Sequence, residues 1–228
     1  MPDLYQIITT LSVWVLPVLL AITLHEAAHG YVANALGDPT ARSQGRLSLN
    51  PLKHIDPFGT VIMPLLLFLM AGFVFGYARP VPVDFRNLRN PKRDMMLVAI
   101  AGPAANIALA IFGALLVGLI PFMPQFLGEW FGRNLVNLIV INSLLAVFNL
   151  LPLPPLDGSR VVSGLLPHQL AVKYNRVEPY GIFILVGILF ILPQLGEVIG
   201  INLNIAQFLI WGPAELLYDF ILSTFGTH

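Results

Sequence analysis

The chain has 228 residues, 57% of them hydrophobic and 11% charged, with a mean hydropathy of +0.79. A soluble domain carries about 25% charged residues, so the composition excludes an ordinary soluble enzyme and points to a polytopic membrane protein, expected as a single domain over 1–228. Basic and acidic residues balance at 12 each, which gives no reason to expect a nucleic acid, and the absence of cysteine excludes disulfides and thiolate metal ligands.

Runs free of Asp, Glu, Lys and Arg cover 4–25, 57–78, 95–128, 134–156, 179–196 and 198–214. About 20 apolar residues cross a bilayer, so these runs predict an all-α bundle of about five to six transmembrane helices. Helices are expected near 6–35, 95–120, 135–150, 180–195 and 204–222. No basic residue precedes the first run, as a signal peptide would require, so that run reads as a retained helix.

The first helix carries His25-Glu26-Ala27-Ala28-His29 at the end of its apolar stretch. Ionisable groups beside hydrocarbon are expensive and need a partner or a function. Residues four apart share one helix face, so His25 and His29 can address one metal ion, with Glu26 beside it to handle a water proton.

The run 57–78 is apolar enough to cross, but Gly59, Pro64, Gly72 and Gly76 interrupt it. Basic residues cluster at 37–56, 79–94 and 160–178, which by the positive-inside rule puts all three connections in the cytoplasm. The run 57–78 then cannot cross once, and a re-entrant hairpin is expected. In the stretch Arg42–Leu49, alternating apolar and polar positions suggest a short β element. His54 reads as an ordinary surface histidine.

Farther along, Asn149-Leu150-Leu151-Pro152-Leu153-Pro154-Pro155-Leu156-Asp157-Gly158 breaks the helix begun near 135. Asp157 ends 23 residues without a charge. A lone buried carboxylate is costly, and a cation would compensate it. Catalytic zinc typically takes three protein ligands and keeps a position open, so Asp157 is the expected third ligand beside the two histidines. The same donor set also suits iron or cobalt. The hairpin topology runs both ligand-bearing helices outward to inward, so the ligands meet toward the cytoplasmic face. Asn149 is the candidate neutral donor to an oxyanion, with an interhelical hydrogen bond or a helix cap as its competing role.

These residues, together with Gly102-Pro103-Ala104-Ala105-Asn106, 49–57 and Ala78-Arg79-Pro80-Val81-Pro82-Val83, resemble the site-2 protease family of intramembrane zinc metalloproteases in its compact prokaryotic form. The resemblance runs from about residue 23 to 160. It implies a membrane enzyme with one Zn2+ ion, Glu26 as general base and acid, and cleavage of a transmembrane segment of a protein substrate, usually in regulated intramembrane proteolysis. It gives Asn106 a role in holding the substrate backbone. Family members often carry a PDZ or CBS domain, and neither is seen in this sequence. The expected surroundings are the lipid bilayer of a prokaryotic cell membrane. Two other readings stay open: a metal-ion transporter, which predicts intramembrane carboxylates in matched halves, and an inactive scaffold, which has no need of Glu26.

Overall fold

A computed structural model describes residues 3–63, 66, 76 and 78–226. Helix α1 (Leu4–Ala35) starts at a reciprocal cap in which the Asp3 carboxylate accepts the Gln6 N–H at 2.7 Å and the Gln6 side chain accepts the Asp3 N–H at 3.2 Å. It ends where Gly37 takes a φ of +114°, a conformation that glycine adopts without steric penalty. A single turn, α2 (Thr40–Ser43), follows.

Helix α3 (Pro91–Leu116) places proline at its first position, where the missing N–H costs nothing, and continues as a tighter turn through Phe122. Helix α4 (Gln125–Asn149) begins about ten residues earlier than the apolar pattern suggests. The reason is local: Glu129 and Arg133 fall in its first turns, where polar side chains reach water, and Gln125 donates to Glu129 one turn on at 3.0 Å.

The proline run after Asn149 stops α4, and α5 (Asp157–Leu165) and α6 (His168–Asn175) occupy what the charge pattern marked as a polar connection. Two further helical stretches complete the bundle. One is built of α7 (Gly181–Val186) and α8 (Leu192–Ile199) with a wider turn between them. The other runs from Gln207 into α9 (Gly212–Phe225).

Five helical stretches among the described residues are long and apolar enough to span a membrane: Ile8–Ala35, Pro91–Phe122, Gln125–Asn149, His168–Ile199 and Gln207–Phe225. The chain is an all-α integral membrane protein. No strand occurs among the described residues, so the expected β element is corrected. The stretch 46–50 has no paired strand beside it. Its neighbourhood is tied by side chains instead, the Arg46 guanidinium donating to the carbonyls of Lys53, Arg79 and Pro80.

His54 is a second correction. It is 2% exposed, with Nε2 donating to the Ser48 carbonyl at 2.8 Å, and its own carbonyl accepts the Arg79 N–H at 2.9 Å.

Four cross-helix bonds set the direction of the core helices. The Trp130 indole N–H meets Ser12, the Asn137 amide meets the Val13 carbonyl, and Asn142 lies level with Ala21 through Asn106. Advancing along α1 therefore advances along α4, so the two run parallel, with α3 antiparallel between them. Helices α3 and α4 pack with α9 over a core of Ala110, Ala114, Ile139 and Ile221.

It follows that α1 ends and α3 begins at the same end of the bundle. The bonds Arg79 N–H to His54, Asp84 N–H to Asp38 and Arg89 N–H to Leu36 join 36–56 to 79–89 there. The chain that leaves at Pro57 thus returns beside its point of departure. The expected hairpin itself falls largely on 64, 65, 67–75 and 77, outside the described residues.

Candidate metal centre

His25 and His29 stand one turn apart on α1, as their spacing requires, and Asp157 at the first position of α5 closes the group. Asp157 Oδ2 lies 3.2 Å from His25 Nε2 and 3.4 Å from His29 Nε2, and the two Nε2 atoms are 3.1 Å apart. The three side chains are 10%, 12% and 16% exposed. Glycine makes this approach possible: a Cβ on Gly102 of α3 would lie 2.5 Å from His29 Nε2 and 2.6 Å from His25 Cε1.

The second nitrogen of each ring identifies its tautomer. His29 Nδ1 faces the Val98 carbonyl at 2.7 Å, and a carbonyl can only accept, so Nδ1 carries the proton and Nε2 a lone pair. His25 Nδ1 faces Asn106 Oδ1 at 2.6 Å, with the same consequence. Asp157 Oδ2 is buried and has no hydrogen-bond donor. With both rings neutral, three lone pairs converge here, and such a group is stable around a cation. Two imidazoles and a carboxylate within 4.8 Å of one another match the protein part of a catalytic zinc site. No other group of three such residues converges among the described residues.

Glu26 lines the same cavity, of about 380 Å³, together with His25, His29, Val81, Asn149 and Asp157. Its Oε2 accepts the Val81 N–H at 2.8 Å. Val81 stands between Pro80 and Pro82, which have no N–H, so the sequence leaves one donor at this point of the segment. Gly30, one turn beyond Glu26, allows the approach, since a Cβ there would lie 2.8 Å from the Val81 side chain. A larger cavity of about 680 Å³ opens between the first halves of α1 and α4, but it gathers no metal-ligating group.

Asn149 is half-buried on the site wall, and one of its N–H groups donates to the Leu145 carbonyl on its own helix at 3.0 Å. Asn106 stands elsewhere. It is fully buried behind His25 and does not line the cavity. Arg160 pairs with Glu178 at 3.6 Å and lies over the Phe85 ring, so it does not neutralise Asp157.

Sequence reasoning passed over Asn142 and Asp38, and named Val81 only as part of a motif. Asn142 is 0% exposed and bonds Asn106. Its signal was present, because a carboxamide in an apolar run needs a partner. Asp38 is also fully buried and accepts from Thr40, Asp84 and Asn87, pinning the segment that leads to Val81.

Comparison with known proteins agrees with this chemistry. Residues 125–192 match the model of peptidase family M50. The chain is 41% identical over 213 residues to the protein named "Putative zinc metalloprotease YwhC" of Bacillus subtilis, covering 88% of this chain and 90% of that one. It is 32% identical over 185 residues to the similarly named Rip2 of Mycolicibacterium smegmatis, covering 78% of this chain and 66% of that one. No solved structure matches. A relative of this identity over nearly its whole length establishes kinship, and the chain belongs to peptidase family M50, the site-2 protease family of zinc-dependent metalloproteases.

Proposed function

We propose that the chain is an intramembrane endopeptidase that holds one zinc ion between His25, His29 and Asp157 and hydrolyses a peptide bond in or near a transmembrane segment of a membrane protein. One observation carries this reading: three convergent ligand atoms and the Glu26 carboxylate share one cavity on helices long enough to span a bilayer. When bound, zinc supplies Lewis acidity toward water and toward the scissile carbonyl.

The chain's own residues do the rest. Glu26 is held through Oε2, so Oε1 takes the proton of the attacking water and delivers it to the leaving nitrogen. Asn149 offers its remaining N–H to the carbonyl oxygen as that oxygen gains charge. Every lysine and arginine except Arg133 lies in 42–53, 79–93 or 160–176, segments at the end of the bundle where α1 finishes. That asymmetry supports a site facing the cytoplasm of a prokaryotic cell. The proline-restricted N–H on Glu26 favours a protease over a transporter, which needs no oriented base.

The test is metal content and cleavage of single-span substrates by detergent-purified wild type and Glu26→Gln. One zinc in both, with cutting by wild type alone, is the expected result. No stoichiometric metal in either would overturn the proposal.

A further inference from the structure

We propose that Asn106 and Asn142 form a positioning relay that fixes the tautomer and ring orientation of His25, and through it the affinity of the site for zinc. The inference rests on the zinc reading above.

Asn106 on α3 and Asn142 on α4 are both 0% exposed, inside helices that read as membrane spans. Their bonds have a forced direction. Asn142 Nδ2 donates to the Leu138 carbonyl at 2.8 Å. Asn142 Oδ1 accepts from Asn106 Nδ2 at 2.7 Å. The same Asn106 nitrogen also donates to the Ala21 carbonyl of α1 at 3.3 Å. Asn106 Oδ1 then accepts from His25 Nδ1 at 2.6 Å.

Two main-chain carbonyls, of Ala21 and Leu138, stand at the far ends of this chain of bonds, and carbonyls only accept. Turning the Asn106 amide over would set its oxygen against the Ala21 carbonyl and against Asn142 Oδ1. Turning Asn142 over as well would set its oxygen against the Leu138 carbonyl. One orientation alone satisfies every group, and in it His25 Nδ1 must be the donor. His25 Nε2 is then left with its lone pair toward Asp157 and His29.

Simple adhesion between helices accounts for the Asn106–Asn142 and Asn106–Ala21 bonds. It leaves unexplained why the remaining oxygen meets the one ring nitrogen that faces away from the metal position. His29 supplies an internal contrast, because its Nδ1 is held by a main-chain carbonyl that no side-chain substitution removes. Outer partners of this kind commonly set metal affinity by about 10–100-fold.

The experiment measures Zn2+ affinity by chelator competition, and the visible absorption of the Co2+ form, for the full chain in detergent. The proteins are wild type, Asn106→Leu, Asn142→Leu and the double variant. Asn106→Leu is expected to bind Zn2+ about 10–100-fold more weakly and to shift the Co2+ spectrum. Asn142→Leu should change both in the same direction. The double variant should be no weaker than Asn106→Leu, because Asn142 acts through Asn106. If Asn106→Leu does not fold, Asn142→Leu carries the same expectation from a position one residue farther from the metal. Unchanged Zn2+ affinity and spectrum in the variants, or losses that simply add, would overturn the relay. A wild type that binds no Zn2+ would instead overturn the zinc reading itself.

Discussion

His25 and His29 ride on the interior of a 32-residue helix, and the outward nitrogen of each is bonded to a neighbouring helix. Glu26, between them in sequence, is anchored by a single main-chain N–H from the segment 78–83. The ligands are thus set by packed helices, whose geometry changes only if the bundle changes. The base is set by a connection whose own position depends on polar contacts, chiefly those of Asp38 and Arg46. Metal binding and proton transfer should therefore separate under mutation.

The largest expected effect is on the base itself. Glu26→Gln should lower cleavage by about 10²–10⁴-fold while leaving zinc bound, read as metal content beside the cleavage rate. A loss of zinc in this variant would erase the distinction between the two regions. Next comes Gly102→Ala, which drives a methyl into both imidazoles. Overpacking of this kind costs about 1–3 kcal/mol, and here it falls on the ligands, so zinc occupancy should drop together with activity.

Val81→Pro removes the N–H that holds Glu26 and leaves the ligands untouched. A hydrogen bond to a charged group is worth about 1.5–3 kcal/mol, so the turnover number should fall about 10- to 100-fold at unchanged zinc content. Val81→Ala keeps the N–H and should stay near wild type. Equal losses in the two variants would show that the side chain, not the N–H, matters.

A smaller effect concerns Asp38. Burial raises its pKa, but the Thr40 hydroxyl, the Asn87 amide and the N–H groups of Asp84 and Thr40 bring it below the ordinary aspartate value. A carboxyl lowered in the folded state contributes stability above its unfolded value, about 3.9, and loses it as pH falls through the folded one. Asp38→Asn should melt lower than wild type at neutral pH, and the gap should begin to narrow below about pH 5 and go on narrowing as pH falls through the lowered folded value. The smallest effect belongs to Arg160→Ala, whose partly exposed pair with Glu178 contributes about 0–1 kcal/mol, so stability should hardly move in a thermal melt.

The convergence of the three proposed ligands was legible because most of its geometry is local. Residues 25 and 29 share a helix face by the helical period alone, and Asp157 announced itself as a charge at the end of an apolar run. The start of α4 was misplaced because Glu129 and Arg133 look like a loop until the helix end is seen to lie where such side chains meet water. His54 looked like a surface group between Lys53 and Asp56, yet its ring turns inward to the Ser48 carbonyl. Asn106 was noticed for its motif, but its bond to His25 shows only when α1 and α3 are packed together.

By itself the sequence determined the membrane class and the principal helices and singled out the three side chains and the carboxylate on which the proposed site rests, since hydropathy and helical period act over short stretches of chain. Only the tertiary structure decided that Val81 reaches Glu26 across 55 positions and that Asn142 meets His25 through Asn106. Those contacts join segments far apart in the chain, and each exists because a buried polar group must find a complementary partner wherever packing brings one within reach.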